Sequence, residues 1–513
     1  MQTKLFTFNF ALYIILIITG AFMAVLDTTV VDIIVPRLKG PLSTDMYGVQ
    51  WVITAYMTAA AAGLLVVEWL IKRYGNKWVY IVGVGLFSLA SFLCGISNSL
   101  GFIISARVVQ GFAEALIMVT AHMMIFSLFP PDKKGIAMGI FALGVAFAPA
   151  IGPTLGGYLS EWFGWRSVFF VNVPIGIIIV IFGSLLLPDI GKREKYPLNV
   201  ISFIFLSIST VALLILLSKG QQYGWFNSSF IVYLGFITWF GFLFFVMSEY
   251  FSKVRLFEYS LFKHPFYTLG ILIYFILLGF SMYQYFYLIP VFYEHIKGLS
   301  SIQSGLGVLG FGIWIGIVSI IAGNVSDKIG PVPVLVAAGV IYLITSFYFF
   351  PPINYYMSFI EAVFRTMPFG IAMGMFFAPV TVLVMNAAKD KGEQAIVVMD
   401  YVRFVGGSFG TAIATNSMFF YKDKEYEGIV SLQNYSLVSD LLEKLKFVFG
   451  EAGEVILRNL QEFMAMNYGF KYVWLNAAFW GLVGSLFVFL LPVAKKWVTE
   501  NGECKMKSEK RKI

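Results

Sequence analysis

Three ionisable side chains stand inside long apolar stretches of this sequence: Asp27, Arg107 and Glu114. If those stretches cross a membrane, a carboxylate at bilayer depth costs a few kcal/mol, so such residues are rare and usually line an internal pathway. Burial also disfavours the charged form of a carboxylate. Asp27 is therefore a candidate proton carrier, and the alternative is a purely structural pairing with a neighbouring helix.

A polar stripe surrounds Arg107. Arg107, Gln110 and Glu114 follow the spacing i, i+3, i+7, which places them on one helix face turned away from lipid. Glu114 can bind a cationic substrate or close an internal salt bridge, and its position in the sequence leaves both alternatives open.

A second acid follows Asp27 on the same predicted helix. Asp32 stands five residues later, about 140° around a helix of 3.6 residues per turn, so the two carboxylates cannot share a face. Asp32 lies near the predicted outer end of this helix, where water can reach it. It remains a secondary candidate for a direct role.

The second half of the chain carries its own candidate residues. Asp400 and Arg403 are spaced i, i+3, so they should face each other across one helical turn and form a structural or gating pair. An aromatic-rich run contains Gln284 and Tyr287. Most of this run fits an interfacial belt, but an inward-facing subset can bind lipophilic cations through ring faces.

Composition indicates the elements that must position these residues. The 513 residues are 59% hydrophobic and 12% charged, where a soluble domain has about 45–50% apolar and about 25% charged residues. The apolar residues form runs of about 20, the length of a membrane-spanning helix. Fourteen spans are predicted, near residues 9–33, 48–70, 78–97, 101–127, 135–158, 167–188, 198–217, 228–250, 266–292, 302–325, 332–351, 356–386, 394–420 and 471–493.

The charges of the connecting loops predict the orientation. With the N-terminus in the cytoplasm, the cytoplasmic segments carry 22 Lys and Arg residues against five in the short outer loops. The positive-inside rule favours this arrangement, with both termini cytoplasmic. It leaves one long external loop, residues 421–470, which should be partly helical and which either caps the exit or docks a partner.

Several other functions lack their sequence signals. No G-x-x-x-x-G-K-[ST] nucleotide-binding loop is present, and the three histidines have no zinc-type spacing, so neither a cofactor nor a metal is expected. The two cysteines offer no disulfide framework. The net charge of +8 belongs to loops between apolar runs and does not indicate nucleic-acid binding. A membrane enzyme, a channel and a receptor are all disfavoured.

The chain shows signs of an internal duplication. Three pairs of matching positions are separated by nearly equal offsets of about 255 to 258: Lys72–Gly75 with Asp327–Gly330, Asp132–Gly135 with Lys389–Gly392, and Arg107 with Arg365. Two parallel halves are a known transporter plan. The predicted domains are a six-helix half (1–190), two inserted helices (191–262), a second six-helix half with the external loop (263–494) and a basic cytoplasmic tail (495–513).

Four motifs together resemble the major facilitator superfamily, in particular its fourteen-helix drug:proton antiporter branch of the EmrB/QacA type. Residues 26–36 resemble the pattern L-D-x-T-x-x-N-x-A-x-P, and residues 107–111 match R-x-x-Q-G. Residues 144–157, ending in Gly152-Pro153-Thr154-Leu155-Gly156-Gly157, match the antiporter motif. Residues 165–176, with Trp165-Arg166 and Asn172-Val173-Pro174, are typical of the branch.

The chain departs from this family at a few positions. The loop after helix 2 normally reads G-x-L-A-D-R-x-G-R-K, but Glu68 replaces its first glycine and Lys72 its aspartate, while Arg73 and Gly75 are kept. Asp32 and Asp400 each stand where the family usually has Asn. The extra acids leave the proton stoichiometry and the charge of the substrate open.

The resemblance implies a proton-coupled antiporter of the cell inner membrane that exports small lipophilic or drug-like compounds by alternating access. It implies that Arg107 partners an acid of the N-terminal half and that the glycines and prolines of helix 5 serve the conformational change. It also implies a periplasmic adaptor and an outer-membrane channel as candidate partners. A proton-coupled importer on the same fold is the alternative, which the helix 5 motif disfavours.

Overall fold

The computed structural model describes residues 8–189, 193, 197–431, 436–450 and 452–498. Within these ranges the chain is helical and contains no β-strand. The helices are α1 (Phe8–Leu38), α2 (Met46–Tyr74), α3 (Asn76–Ile96), α4 (Leu100–Leu128), α5 (Lys134–Trp162), α6 (Ser167–Leu186), α7 (Val200–Lys219), α8 (Ser229–Phe251), α9 (Pro265–Ile296), α10 (Ser301–Ile329), α11 (Pro331–Phe349), α12 (Phe359–Ala388), α13 (Gly392–Ser431), α14 (Ser436–Phe449) and α15 (Ala452–Phe489).

Fourteen of these helices cross the membrane, as predicted. Thirteen are long and apolar enough by length and composition, which leaves α5 and α14. α5 has 29 residues and lies between α1 and α10, and at about 1.5 Å per residue it is long enough to span the bilayer. The all-α membrane fold is thus confirmed.

The helices form two groups that meet along a seam. Helices α1–α4 and α6 pack mainly on one another, as do α9 and α11–α13 with α15, whereas α5 and α10 make their most extensive contact with each other. Across the seam, α5 packs against α10 and α12, and α13 packs against α2 and α4. Small residues permit the closest approach, since a Cβ on Gly135 or Gly139 would collide with the backbone of α10.

Helices α7 and α8 form a hairpin on the outside of this seam. α7 contacts both α2 and α13. Its Ser218 lies 3.1 Å from Thr54 of α2, and its Thr210 lies 2.6 Å from the hydroxyl of Tyr401 of α13. The hairpin therefore touches both groups of helices, at two levels of α7.

The segment 421–470 is more helical than the sequence indicates. α13 continues to Ser431 and α15 begins at Ala452, so the two extend well beyond the predicted ends of their spans, and α14 lies between them. Lys422 and Arg458 both pair with Glu462, at 3.8 and 3.2 Å. Such charged pairs stabilise helices in water, where hydropathy gives no signal.

Candidate functional site

Asp27 lies at the centre of a buried polar cluster among α1, α3, α4 and α6. Its side chain forms an ion pair through Oδ2 with Arg107, and both residues are about 1% exposed. Oδ1 accepts hydrogen bonds from Gln110 (3.0 Å) and Asn172 (2.7 Å). The Asn172 amide also donates to Ser91 at 3.0 Å. Both oxygens of the carboxylate are thus satisfied.

Arg107 is fixed from several sides. Its Nε donates to the carbonyl of Val52 at 3.2 Å, and Nη1 donates to Oε1 of Gln110 at 2.8 Å. The guanidinium lies 3.8 Å from the centre of the Tyr56 ring, a cation–π contact that is strongest where water is excluded. Among the described residues, Asp27 is the only carboxylate in hydrogen-bonding contact with Arg107. A proton on Asp27 would remove this negative charge.

Glu114 lies two turns further along α4 and is 7% exposed. The Tyr56 hydroxyl lies close to this carboxylate, while the Oε2 atom of Glu114 is buried and has no hydrogen-bond partner in the described structure. Arg403 of α13 lies within electrostatic range of this carboxylate. A buried carboxylate oxygen without a partner is costly, so this atom can accept a hydrogen bond from a ligand.

Asp400 and Arg403 lie one turn apart on α13, with Oδ1 and Nη2 separated by 3.5 Å. Arg403 also donates to the Tyr283 hydroxyl of α9 at 3.0 Å. The second oxygen of Asp400 lies 3.5 Å from Nδ1 of His122, which belongs to α4. This contact joins the two groups of helices.

No described hydrogen bond joins Gln284 or Tyr287 to either cluster. Gln284 is buried and donates a long 3.5 Å hydrogen bond to the Phe280 carbonyl of its own helix, and Tyr287 is half-buried against the aromatic core of α9. Asp32 lies on α1, but its side chain is outside the described part of the structure.

The two repeated turns have the same backbone geometry. Gly75 has φ 86° and ψ 154°, and Gly330 has φ 87° and ψ 161°. Each ends a helix by donating its N–H to the carbonyl four residues earlier, Ile71 (2.7 Å) and Ser326 (2.9 Å). Positive φ favours glycine at both places. Arg73, beside the first turn, stacks on Trp69 at 5.7 Å.

Asp327 holds the two groups of helices together at the predicted cytoplasmic end. Its carboxylate accepts from the N–H groups of Gly135 (2.7 Å) and Ile136 (3.0 Å), at the start of α5. An acid at a helix N-terminus is stabilised by the unpaired N–H groups and the helix dipole. This contact must break if the two groups separate at this end.

The glycines of the α5 motif lie at helix contacts. A Cβ on Gly152 would collide with Thr29 of α1, one on Gly156 would lie 2.9 Å from Val30, and one on Gly157 would lie 3.1 Å from Ile302 of α10. The motif therefore allows α5 to approach α1 and α10 closely. The side chain of Pro153 lies outside the described part of the structure.

Sequence reasoning missed several residues of these clusters, namely Asn172, His122, Ser91 and Tyr56. Asn172 belongs to a motif that the sequence displays, but nothing local shows that its amide reaches Asp27. His122 was set aside for lack of zinc-type spacing, although an ionisable residue at membrane depth is itself a signal. Over the described residues, no three His, Cys, Asp or Glu side chains converge as a metal site.

Comparison with known proteins gives a consistent result. The sequence profile described as Major Facilitator Superfamily matches residues 17–411. Multidrug export protein EmrB of Haemophilus influenzae is 28% identical over 77% of this chain and 78% of its own length. Fatty acid resistance protein FarB of Neisseria gonorrhoeae is 28% identical over 77% and 78%. Riboflavin transporter RibZ of Clostridioides difficile is 32% identical over 63% and 70%.

Proposed function

Because this chain belongs to the Major Facilitator Superfamily, we propose that it is a proton-coupled antiporter that exports small lipophilic compounds from the cytoplasm. Relatives named for multidrug export and for fatty acid resistance support export of compounds of this kind. The observation that carries the proposal is the buried ion pair of Asp27 and Arg107, held between helices of the first group.

The coupling follows from the electrostatics of that pair. The ionised carboxylate holds Arg107 in a site from which water is excluded. A proton arriving from the outer side neutralises Asp27 and weakens this contact. Arg107 is then left with its Val52, Gln110 and Tyr56 contacts. Protonation thus changes the contacts that hold Arg107, and a substrate that binds better to the carrier with Asp27 ionised would be exchanged for the proton.

Alternating access uses the seam between the two groups of helices. Asp327 bound to the start of α5 keeps the predicted cytoplasmic end closed, so the described conformation corresponds to an outward-facing or occluded carrier. Substrate binds from the cytoplasm to the carrier with Asp27 ionised and favours the outward-facing conformation. After release of substrate, the carrier with Asp27 protonated goes back to the inward-facing conformation. The membrane potential adds about 2.3 kcal/mol per net charge per 100 mV.

The substrate would bind between the two groups, near Glu114 and Arg403. The unpartnered Oε2 of Glu114 favours a cation. Tyr283, held by Arg403, and Tyr287 offer ring faces to a lipophilic cation. Asp32 and Gln284 stay as secondary candidates.

We propose that the ends of α13 and α15 within residues 421–470, together with α14, bind a periplasmic adaptor that leads to an outer-membrane channel. Phe447 is 92% exposed, with Val448 and Phe449 beside it, and exposed apolar patches often mark interaction sites. Deleting residues 425–465 should spare transport in vesicles but abolish efflux from whole cells. Loss of transport in both assays would contradict the adaptor role.

The function is tested with purified protein in sealed vesicles under an imposed pH gradient and a panel of neutral, anionic and cationic dyes. Asp27→Asn imitates the protonated carboxyl group and should fold and insert while losing proton-driven export. Asp32→Asn, which restores the usual residue of the family, is the matched control and should be milder. Wild-type export by the Asp27→Asn protein would assign coupling to another acid, with Glu114 and Asp400 next.

A further inference from the structure

His122 and Asp400 form the one described buried ion pair that joins the two groups of helices. His122 is on α4 and Asp400 on α13, 278 positions apart in sequence. The side chains are 5% and 7% exposed, and Nδ1 lies 3.5 Å from Oδ2. The imidazole also stacks on Phe141 of α5, with ring centres 4.7 Å apart. The pair therefore exists only while the seam is closed at this depth.

This pair is separate from the Asp27 cluster. His122 lies 15 residues beyond Arg107 on α4, which is about 22 Å along the helix axis. It lies six residues before the end of α4 at Leu128, and Asp400 lies eight residues after the start of α13 at Gly392. Both residues are thus in the part of the bundle near the predicted cytoplasmic end.

Two buried atoms face each other in this pair, since His122 Nδ1 and Asp400 Oδ2 each have no hydrogen-bond partner in the described structure. The titratable or charged groups facing this pair are Arg403 on α13, Glu114 on α4, and Tyr274 and Tyr283 on α9, while α5 presents the uncharged ring of Phe141. Buried nitrogen and oxygen atoms without a hydrogen-bond partner are costly. A proton on Nδ1 would let the imidazole donate to Oδ2 of Asp400 and would satisfy both atoms.

We propose that His122 and Asp400 are a second proton site that latches the predicted cytoplasmic end of the carrier. Closure places the imidazole against the carboxylate, and Nδ1 takes a proton from water to form the imidazolium of an ion pair. Opening separates the two groups, the N–H bond breaks, and the proton returns to water. Acid conditions then favour the closed arrangement, and each cycle of opening and closing binds and releases one proton here. The proposal depends on the proposed function only for the movement of the two halves.

The test measures the opening itself and needs no substrate. Spin labels are attached at Asp132→Cys and Asn386→Cys, two exposed positions on opposite groups at this end, in a Cys94→Ala, Cys504→Ser background of the full chain. The distance between the two labels is measured by double electron–electron resonance in lipid at pH 8 and pH 6. One linked proton changes the ratio of closed to open molecules by at most about tenfold per pH unit. We expect this ratio to rise by at least about threefold between pH 8 and pH 6.

The variants decide between the latch and other causes. His122→Gln and Asp400→Asn, the latter restoring the residue usual in the family, should each abolish the dependence on pH. His264→Gln and His295→Gln replace the other two histidines and should leave it unchanged. A pH response that survives in His122→Gln, or that is absent from the wild type, overturns the proposal. Neither result bears on Asp27, whose role is judged from transport.

Discussion

Asn172 of α6 donates a 2.7 Å hydrogen bond to the oxygen of Asp27 that does not face Arg107. The same amide donates to Ser91 of α3. It therefore fixes the orientation of the proposed proton carrier from the side opposite the arginine. A carboxylate held in this way returns to one position after each protonation.

The first prediction concerns that amide. Asn172→Ala leaves a buried oxygen of Asp27 with one donor fewer, a change that costs about 1–3 kcal/mol. We expect a lower melting temperature of the purified protein and a reduced rate of pH-driven export. Asn98→Ala is the matched control, because Asn98 is exposed and bonds only to Arg166 in the described structure. Equal effects of the two changes would argue against a positioning role.

The second prediction concerns Glu114. Glu114→Gln keeps the shape of the side chain but removes the charge at the unpartnered Oε2 position. Export of cationic dyes should fall by about tenfold, the effect of roughly 1.4 kcal/mol, while neutral dyes keep their rate. Initial rates in vesicles across the panel check this. If all dyes are lost together, Glu114 serves coupling or folding and does not select substrate charge.

The third prediction concerns a close contact across the seam between α5 and α10. A Cβ on Gly139 of α5 would lie 2.5 Å from the Ser319 carbonyl of α10, so Gly139→Ala should keep the two helices from closing and reduce export. Gly101→Ala is the control, since a Cβ at Gly101 meets nothing within 4 Å and alanine favours a helix by up to about 1 kcal/mol. Gly139→Ala should have a lower melting temperature and a lower export rate than Gly101→Ala. Similar behaviour would mean that α10 can shift to make room.

The fourth prediction concerns orientation. Cysteines at Asp132 and Gly428, introduced singly into a background without Cys94 and Cys504, lie at opposite ends of the bundle. A membrane-impermeant maleimide should label Gly428→Cys on intact cells and Asp132→Cys only after permeabilisation. The opposite pattern would reverse the direction of transport argued above.

The amino-acid sequence by itself determined which parts of the chain cross the membrane. A run of about 20 apolar residues is a local property, and burial in lipid depends on little else. The same locality made the i, i+3 neighbours Asp400 and Arg403 predictable. Hydropathy marks membrane spans and gives no bounds for helices beyond them, so it did not show that α13 continues to Ser431 or that α15 begins at Ala452, where charged pairs such as Arg458–Glu462 occur.

Only the tertiary structure decided which buried polar groups meet. Asn172 and Asp27 are 145 residues apart, and His122 and Asp400 are 278 apart. Their partnership depends on how whole helices rotate and cross, which packing of small residues such as Gly135 and Gly139 sets. The place of the α7–α8 hairpin across the α2–α13 seam has the same origin. The sequence shows that a buried charged residue needs a partner, but only the tertiary structure shows which residue that partner is.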